Sequence, residues 1–391
     1  MKCVVLTSEY PPSKGGVGNA ALTFARAMAA RGWSLAIATG EVRGVPALEV
    51  TREGTVRRFT LAGDASLWSP LSGEMAGLRS WITEQEPDVV VIHGWQGWCV
   101  RMVPWLRKAG IPVILQSHGF GFHRMSWKLR PPFGLKVWFG YQPFVWRLPS
   151  FIRSLAALSV LSKNPRYLTA FDHWVGVKSG CPNVVNIPNG VEQVEGGAGE
   201  FFTACPGAQD KFVVLCVANY CDRKNQLRAL EVARKAASDR LFFVFIGGEE
   251  NEYSRMLLAR ARKWGIEDKV AVMHGLSRTL TESAILACDA ALMTSKWEMQ
   301  PLFLLEAMSA GKPWISTDVG SVRELRGGIV SEPDVATLTR NLGRLAGNES
   351  LRLELAEEGF RQWQSEYRPS VVYGHWDKLM HSVVKANREG S

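Results

Sequence analysis

Ser295-Lys-Trp-Glu-Met-Gln-Pro-Leu-Phe-Leu-Leu-Glu-Ala-Met-Ser-Ala-Gly-Lys-Pro-Trp314 reads as a loop, a helix and the start of a strand, and it carries two carboxylates, Glu298 and Glu306, eight positions apart. Pro301 suits a first helical turn, and Ala310 with Gly311 makes a helix stop. Glu298 therefore stands in the loop just ahead of the helix, and Glu306 lies within it, more than a turn further along. A ligand lying across that helix start could touch both. The unpaired amides of a first helical turn also favour a bound phosphate.

Working outward, Trp314 to Thr317 closes a series of short apolar runs that reads as strands: Phe212 to Ala218, Leu241 to Ile246, Val270 to His274 and Ala290 to Thr294. An earlier series comprises Lys2 to Thr7, Ser34 to Thr39, Asp88 to His93, Val113 to Ser117 and Leu155 to Leu161, with a helix expected over Ala20 to Arg31, ended by Gly32. Helical patterns fill most gaps. Alternation of strand and helix implies parallel sheets covered on both faces, an α/β architecture. At 391 residues the chain exceeds one ordinary core and fits two domains. The glycine- and glutamate-rich stretch from 190 to 210 reads as their linker. The expected domains are 1–195, completed by a C-terminal segment 367–391, and 205–366. Ligands of open parallel sheets bind at the carboxyl ends of strands, so two such domains facing across a cleft would hold a substrate between them.

Composition narrows the class. Hydrophobic residues make up 46% and charged residues 21%, the balance of a globular chain. The seven cysteines show no Cys-x-x-Cys pair, which argues against a disulfide framework or a zinc site. No apolar stretch approaches a membrane span, and a cytoplasmic setting is expected. Residues 1 to 190 hold 21 Lys and Arg against 10 Asp and Glu, leaving 25 against 27 in the remainder. The first half should therefore meet something anionic.

Several motifs admit two readings. Gly16-Val-Gly-Asn-Ala-Ala21 fits the dinucleotide pattern Gly-x-Gly-x-x-Ala, with Glu41 where a ribose-binding acid would follow, and this favours a nicotinamide-dependent oxidoreductase. The long loop with Pro11-Pro12 ahead of it instead favours a glycine loop that lets a phosphate or sugar approach the backbone. Arg223 and Lys224, between a strand end and a helix start, either neutralise a diphosphate or form a solvated basic turn. His93 and His118 each end a strand and precede a glycine, which suits cleft residues as well as structural ones. Paired carboxylates also occur in glycoside hydrolases, but here one loop and helix carry both. No histidine has a carboxylate at metal-ligand spacing, so no metal site is expected. Between Arg124 and Arg153, six basic residues without an acid interleave with aromatic side chains. That mixture suits an anionic membrane surface better than nucleic acid, for which no binding module is present.

The Gly15-Gly16-Val17-Gly18 loop, Ser117-His118-Gly119, Ile187-Pro-Asn-Gly-Val191, Lys224, the Glu298 to Glu306 stretch and Gly311-Lys-Pro-Trp-Ile-Ser-Thr-Asp-Val-Gly320 with Glu324 occur in an order that resembles the retaining glycosyltransferases of family 4, which have the GT-B fold of two Rossmann-like domains. The resemblance runs through nearly the whole chain. It implies a nucleotide-sugar donor held mainly by the second domain, with Glu306 on the ribose hydroxyls, Glu298 near the transferred sugar and Lys224 on the diphosphate. It also implies donor contacts from Gly16, Asn219, Arg223, His274, Met299, Gln300, Leu302 and Phe303. His118 would lie over the donor sugar, with His93 and Asn189 on the acceptor side. Two positions depart from the pattern: Asn219 stands where an arginine is usual, and Met299 where a glycine often follows the first glutamate. The implied enzyme needs no metal or other cofactor. The resemblance does not carry the donor's base, for which a UDP-linked donor is favoured over a GDP-linked one. Attachment of the 124–153 stretch to anionic lipid would bring the protein to a saccharide or lipid-linked saccharide acceptor in envelope polysaccharide or glycolipid synthesis. A non-catalytic sugar-nucleotide-binding protein is the remaining alternative.

Overall fold

The computed structural model describes residues 1–13, 16–62, 72–94, 98–118, 150–162, 173, 176–236 and 238–390. The chain divides into two compact units, Met1–Gly190 with Pro369–Ser391, and Val191–Arg368. Each is an α/β unit built on a parallel sheet, as the alternation of strands and helices requires.

The strands of the first unit are β1 (Lys2–Thr7), β2 (Ser34–Gly40), β3 (Leu48–Thr51), β4 (Gly54–Phe59), β5 (Leu61–Ala62), β6 (Ser72–Gly73), β7 (Val89–His93), β8 (Val113–Ser117), β9 (Ala157–Val160) and β10 (Val184–Asn186). Eight of them form one sheet in the order β10-β9-β8-β7-β1-β2-β4-β3, parallel except for the antiparallel β3–β4 edge, while β5 and β6 form a separate short pair. Side chains alternate between two cores: Val4 and Leu6 enter one, Cys3 and Val5 the other. Burial on both faces is what makes these strands read as unbroken apolar runs. The helix Gly16–Ala29 covers one face, placing Ala21, Phe24, Ala25 and Met28 in the core.

The last helix, Pro369–Glu389, packs on the same face, with Val372, Tyr373, Trp376, Met380, Val383 and Val384 buried. Its seating is fixed by polar bonds as well. Trp33 Nε1 donates to Asp377 Oδ1 at 2.7 Å, and Arg388 pairs with Asp88 at 2.6 Å. A Cβ on Gly190 would come within 3.0 Å of the Tyr373 ring and 3.3 Å of Pro369 Cα, so the Pro-Asn-Gly turn closes against this helix only with glycine there.

The second unit holds β11 (Phe212–Val217), β12 (Leu241–Gly247), β13 (Val270–His274), β14 (Ala290–Met293), β15 (Trp314–Thr317) and β16 (Gly328–Ser331), ordered β13-β12-β11-β14-β15-β16 and parallel throughout. Residues 190 to 210 are not the spacer expected from their composition. Val191, Val194, Phe201, Cys205 and Ala208 are buried in the core of this unit, so it begins at Val191. Strand order reverses between β1 and β7 in the first sheet and between β11 and β14 in the second. At such a point the loops leaving two adjacent strands diverge and open a crevice at their carboxyl ends.

Candidate functional site

In the second unit the loops leaving β11 and β14 are bound to each other. Lys296 N donates to the Arg223 carbonyl at 2.8 Å, Asn225 Nδ2 to the Thr294 carbonyl at 3.2 Å, and Thr294 Oγ1 to the Asn225 carbonyl at 2.8 Å. Asn225 adopts a left-handed φ of 53°, a conformation asparagine tolerates better than most residues. Behind these loops, Gly320 at φ 56° lies so close that a Cβ would stand 2.4 Å from the Met299 carbonyl oxygen. The Ser321 amide bonds that carbonyl at 2.9 Å. Thr317 Oγ1 donates to the Ser295 carbonyl at 2.7 Å.

This scaffold brings Lys224, Arg223 and Glu298 together. The Lys224 Nζ stands 2.5 Å from Glu298 Oε1, which also accepts from Ser295 Oγ at 2.8 Å; Arg223 Nη1 lies 3.9 Å from Oε2. Glu298 is 8% exposed. A buried carboxylate demands such compensation. Arg223 also lies over the half-exposed Trp297 ring at 4.7 Å, a cation–π contact that steadies the guanidinium. Two cations on one carboxylate leave a net positive crevice, suited to a polyanion.

Glu306 takes another partner. It lies in the helix Leu302–Ser309, whose N-cap Pro301 supplies no side-chain bond, and its Oε1 accepts from Arg278 Nη1 at 2.6 Å. Burial raises the Glu306 carboxyl above the ordinary carboxylate range, with Arg278 drawing it back. Phe303 is buried in the core, so it can offer a ligand only its backbone. Leu302 packs against that core and is partly buried, Gln300 is buried, and Met299 is half-buried with its carbonyl engaged.

Asn219 is exposed, with Oδ1 over Gly248. The neighbouring Tyr220 is buried and donates to the Phe245 and Met273 carbonyls, its ring 5.3 Å from that of His274. His274 Nε2 is buried and has no hydrogen-bond partner among the described residues.

In the first unit His93 ends β7 and His118 follows β8, bringing His93 Nδ1 to 3.3 Å from His118 Nε2 in a stacked pair. One nitrogen must donate and the other accept, which two neutral rings can do. Burial, reinforced by His118, lowers the His93 pKa well below its usual value, and burial lowers that of His118 to about 4. His93, expected on the acceptor side, is 3% exposed among the described residues and packs edge-on to Phe24 at 5.0 Å, where it orients His118. Asn189 is half-buried in the turn that meets the last helix.

Gly16 opens its helix, and a Cβ there would meet no atom within 4 Å. The glycine that the chain itself needs is Gly18, whose Cβ would lie 3.2 Å from the Glu9 backbone. Glu41, the candidate ribose acid of a dehydrogenase, accepts from Thr60 Oγ1 at 2.9 Å. Among the described residues no group of three or more His, Cys, Asp or Glu forms a metal site. The basic aromatic stretch from Arg124 lies outside the described residues as far as 149.

Sequence reasoning missed Ser295, Trp297 and Arg278. Arg278 was within reach, since it follows the end of β13 and starts a helix capped by Ser277.

Two family models match the chain: glycosyl transferases group 1 over residues 202–362, and the glycosyl transferase 4-like domain over 15–164. The chain is a family 4-type glycosyltransferase. The dehydrogenase reading of Gly16 to Ala21 falls with that assignment, because the 4-like domain includes this run. This glycosyltransferase is 23% identical over 175 residues to the amylovoran biosynthesis glycosyltransferase AmsD of Erwinia amylovora, a match covering 43% of the chain and 48% of the relative. It spans less than half the length of the curated relatives it matches. Among solved structures it resembles a sucrose-phosphate synthase of Thermosynechococcus elongatus (TM-score 0.77, 16% identity, 99% and 100% of the two chains). It also resembles HepE of Anabaena in complex with UDP and glucose (TM-score 0.72, 14% identity, 98% and 100%). Its fold is GT-B.

Proposed function

We propose that the protein transfers a sugar from a nucleoside diphosphate sugar to a saccharide or lipid-linked saccharide acceptor with retention of configuration. The observation that carries this reading is the meeting of Lys224, Arg223 and Glu298 where the strand order of the second sheet reverses. In transfer, the bond from the anomeric carbon to the diphosphate breaks and a bond to the acceptor hydroxyl forms on the same face. The acceptor's proton passes to an oxygen of the departing phosphate. The departing group gains negative charge, which Lys224, Arg223 and the amides at the start of Leu302–Ser309 are suited to stabilise. Glu298 holds Lys224 in place and lies near the donor sugar, Glu306 receives the ribose hydroxyls, and His118 serves the sugar as a neutral hydrogen-bonding group. Gly16, where an added Cβ would meet no described atom within 4 Å, leaves room for a phosphate.

A UDP-linked donor is favoured, consistent with the UDP bound by HepE. Calorimetry with UDP, GDP and NAD is expected to give binding of UDP, weaker binding of GDP and none of NAD; NAD binding alone would defeat the reading. Sugar transfer should survive EDTA, since fixed cations replace a metal here, and a strict requirement for added divalent metal would contradict this. Detection of transfer or of donor hydrolysis separates the enzyme from a non-catalytic sugar-nucleotide-binding protein.

We assign the acceptor to envelope polysaccharide or glycolipid synthesis, a reading supported by the similarity to AmsD, an amylovoran biosynthesis glycosyltransferase. The cytoplasmic face of the membrane is the proposed site of action, reached through the basic aromatic stretch 124–153. Each basic residue close to anionic lipid contributes about 1 kcal/mol. Replacing Arg124, Lys128, Arg130 and Lys136 by Glu should abolish co-sedimentation with anionic vesicles. Equal binding to neutral vesicles, or binding that survives the substitutions, would rule the surface out.

A further inference from the structure

Arg278 is engaged twice. Its Nη1 donates to Glu306 Oε1 and its Nε to Glu282 Oε1, both at 2.6 Å. The Arg278 side chain as a whole is 56% exposed, whereas the Glu306 side chain is 15% exposed. One cation thus spans a mostly buried carboxylate and a second carboxylate one helical turn along its own helix. The elements packed against the Leu302–Ser309 helix include the helix Glu349–Gln362 and the turn Trp363–Tyr367, which meet its core through Phe360, Trp363 and Tyr367. The charged groups that act on Glu306 are Arg278 and Glu282.

We propose that Arg278 is a positioning residue for donor binding: it keeps the Glu306 carboxylate ionised and aimed, so that both of its oxygens stay hydrogen-bond acceptors for the donor's ribose. The proposal rests on Glu306 being the ribose-binding carboxylate. Its physical basis is the imbalance around that group. Burial pushes the carboxyl towards its neutral form, Glu282 pushes in the same direction, and Arg278 alone opposes them. A neutral carboxyl would turn one acceptor oxygen into a donor and meet two ribose hydroxyls poorly. Arg278 reaches Oε1 from one side and leaves Oε2 without a bond to it, so ribose need not displace the guanidinium.

The test is calorimetry of UDP, or of GDP if that is the nucleotide bound, to the wild type, Arg278→Met, Arg278→Lys and Glu306→Gln across pH. Dividing each variant's affinity by that of the wild type at the same pH cancels the titration of the nucleotide's own phosphate. For Arg278→Met the ratio should fall by at least about fivefold from the alkaline to the acid end of the range in which both proteins stay folded, recovering towards one in alkali, because the carboxylate must be deprotonated to accept. Arg278→Lys, which keeps the charge, should stay within about twofold throughout. Glu306→Gln, which resembles the protonated acid, should bind weakly at every pH. A pH-independent loss in Arg278→Met would overturn the proposal in favour of direct contact with the nucleotide, and tighter binding would show that Arg278 competes for Glu306. If Glu306→Gln binds like the wild type, or the wild type binds neither nucleotide, the donor reading itself fails. A flat ratio beside a weakened Glu306→Gln defeats only the role of Arg278. Thermal unfolding of Arg278→Met should lie below that of the wild type in alkali, because a mostly buried carboxylate loses its partner, and approach it as pH falls and Glu306 takes a proton, the opposite trend to the affinity ratio.

Discussion

Lys224→Ala is expected to weaken nucleotide binding by about ten- to a hundredfold, the effect of losing one hydrogen bond between charged groups. It should also destabilise the second unit, because Lys224 is the close partner of the buried Glu298. Breaking a buried pair by removing one member costs about 3–5 kcal/mol where nothing else compensates. Here Ser295 and the more distant Arg223 remain on the carboxylate, and Lys224 is 19% exposed, so a loss of about 1–3 kcal/mol is expected. The two effects separate in Lys224→Ala combined with Glu298→Gln. Removing the carboxylate's charge should restore most of the stability while nucleotide affinity stays low. If the double variant recovers affinity together with stability, Lys224 serves the fold alone and the diphosphate assignment is wrong.

What the sequence disclosed about this fold follows from where burial is two-sided. β1, β8, β13 and β15 are legible to the residue, since apolar side chains on both faces leave runs with sharp polar ends. The β3–β4 edge is not legible, and Arg58 is the reason. It sits in β4 at 4% exposure, its charge held by Glu49 at 2.8 Å and by the Pro46 and Pro11 carbonyls. A buried arginine breaks the apolar pattern, and the partners that permit it lie up to 47 residues away. The helix expected from Ala20 starts at Gly16, because glycine's low helix propensity hides the place where Gly18 must pack on Glu9.

The site was legible in the same uneven way. Glu298 and Lys224 stand 74 positions apart, and the strand-end rule brings both to one crevice before any contact is known. Applied to β13, that rule also reaches Arg278, but nothing in its spacing shows that it faces Glu306, a pairing made across 28 residues by the reach of one long side chain. His93 looked equivalent to His118 because both end strands. Only the packing of Phe24 and Trp376 around it shows which of the two is enclosed.

That enclosure predicts an acid-sensitive first unit. His93 and His118 have folded pKa values below the ordinary 6.5, that of His118 near 4, so the unfolded chain binds more protons than the folded one between those limits. Stability therefore rises with pH across that window: the contribution is fully present above the unfolded value and is lost as pH falls towards the folded one. For His118 the loss between about pH 8 and pH 5 amounts to about 2 kcal/mol, and His93 adds to it. Carboxylates do not imitate this effect in the same window. Glu53, which burial would raise but Arg26, Thr51 and Arg52 hold down at about 2, releases its stabilisation only in stronger acid. Glu306, raised by burial, acts in the opposite sense and belongs to the second unit. Urea unfolding at intervals from about pH 8 to pH 5 should show the decline. His118→Gln keeps a hydrogen-bonding group beside His93 but cannot titrate, so its slope should be visibly shallower. A wild-type stability that is flat over this range, or an unchanged slope in His118→Gln, would mean that the pair is already solvated and free to protonate. His118 would then reach the donor sugar as a cation below neutral pH, contrary to the neutral role assigned to it.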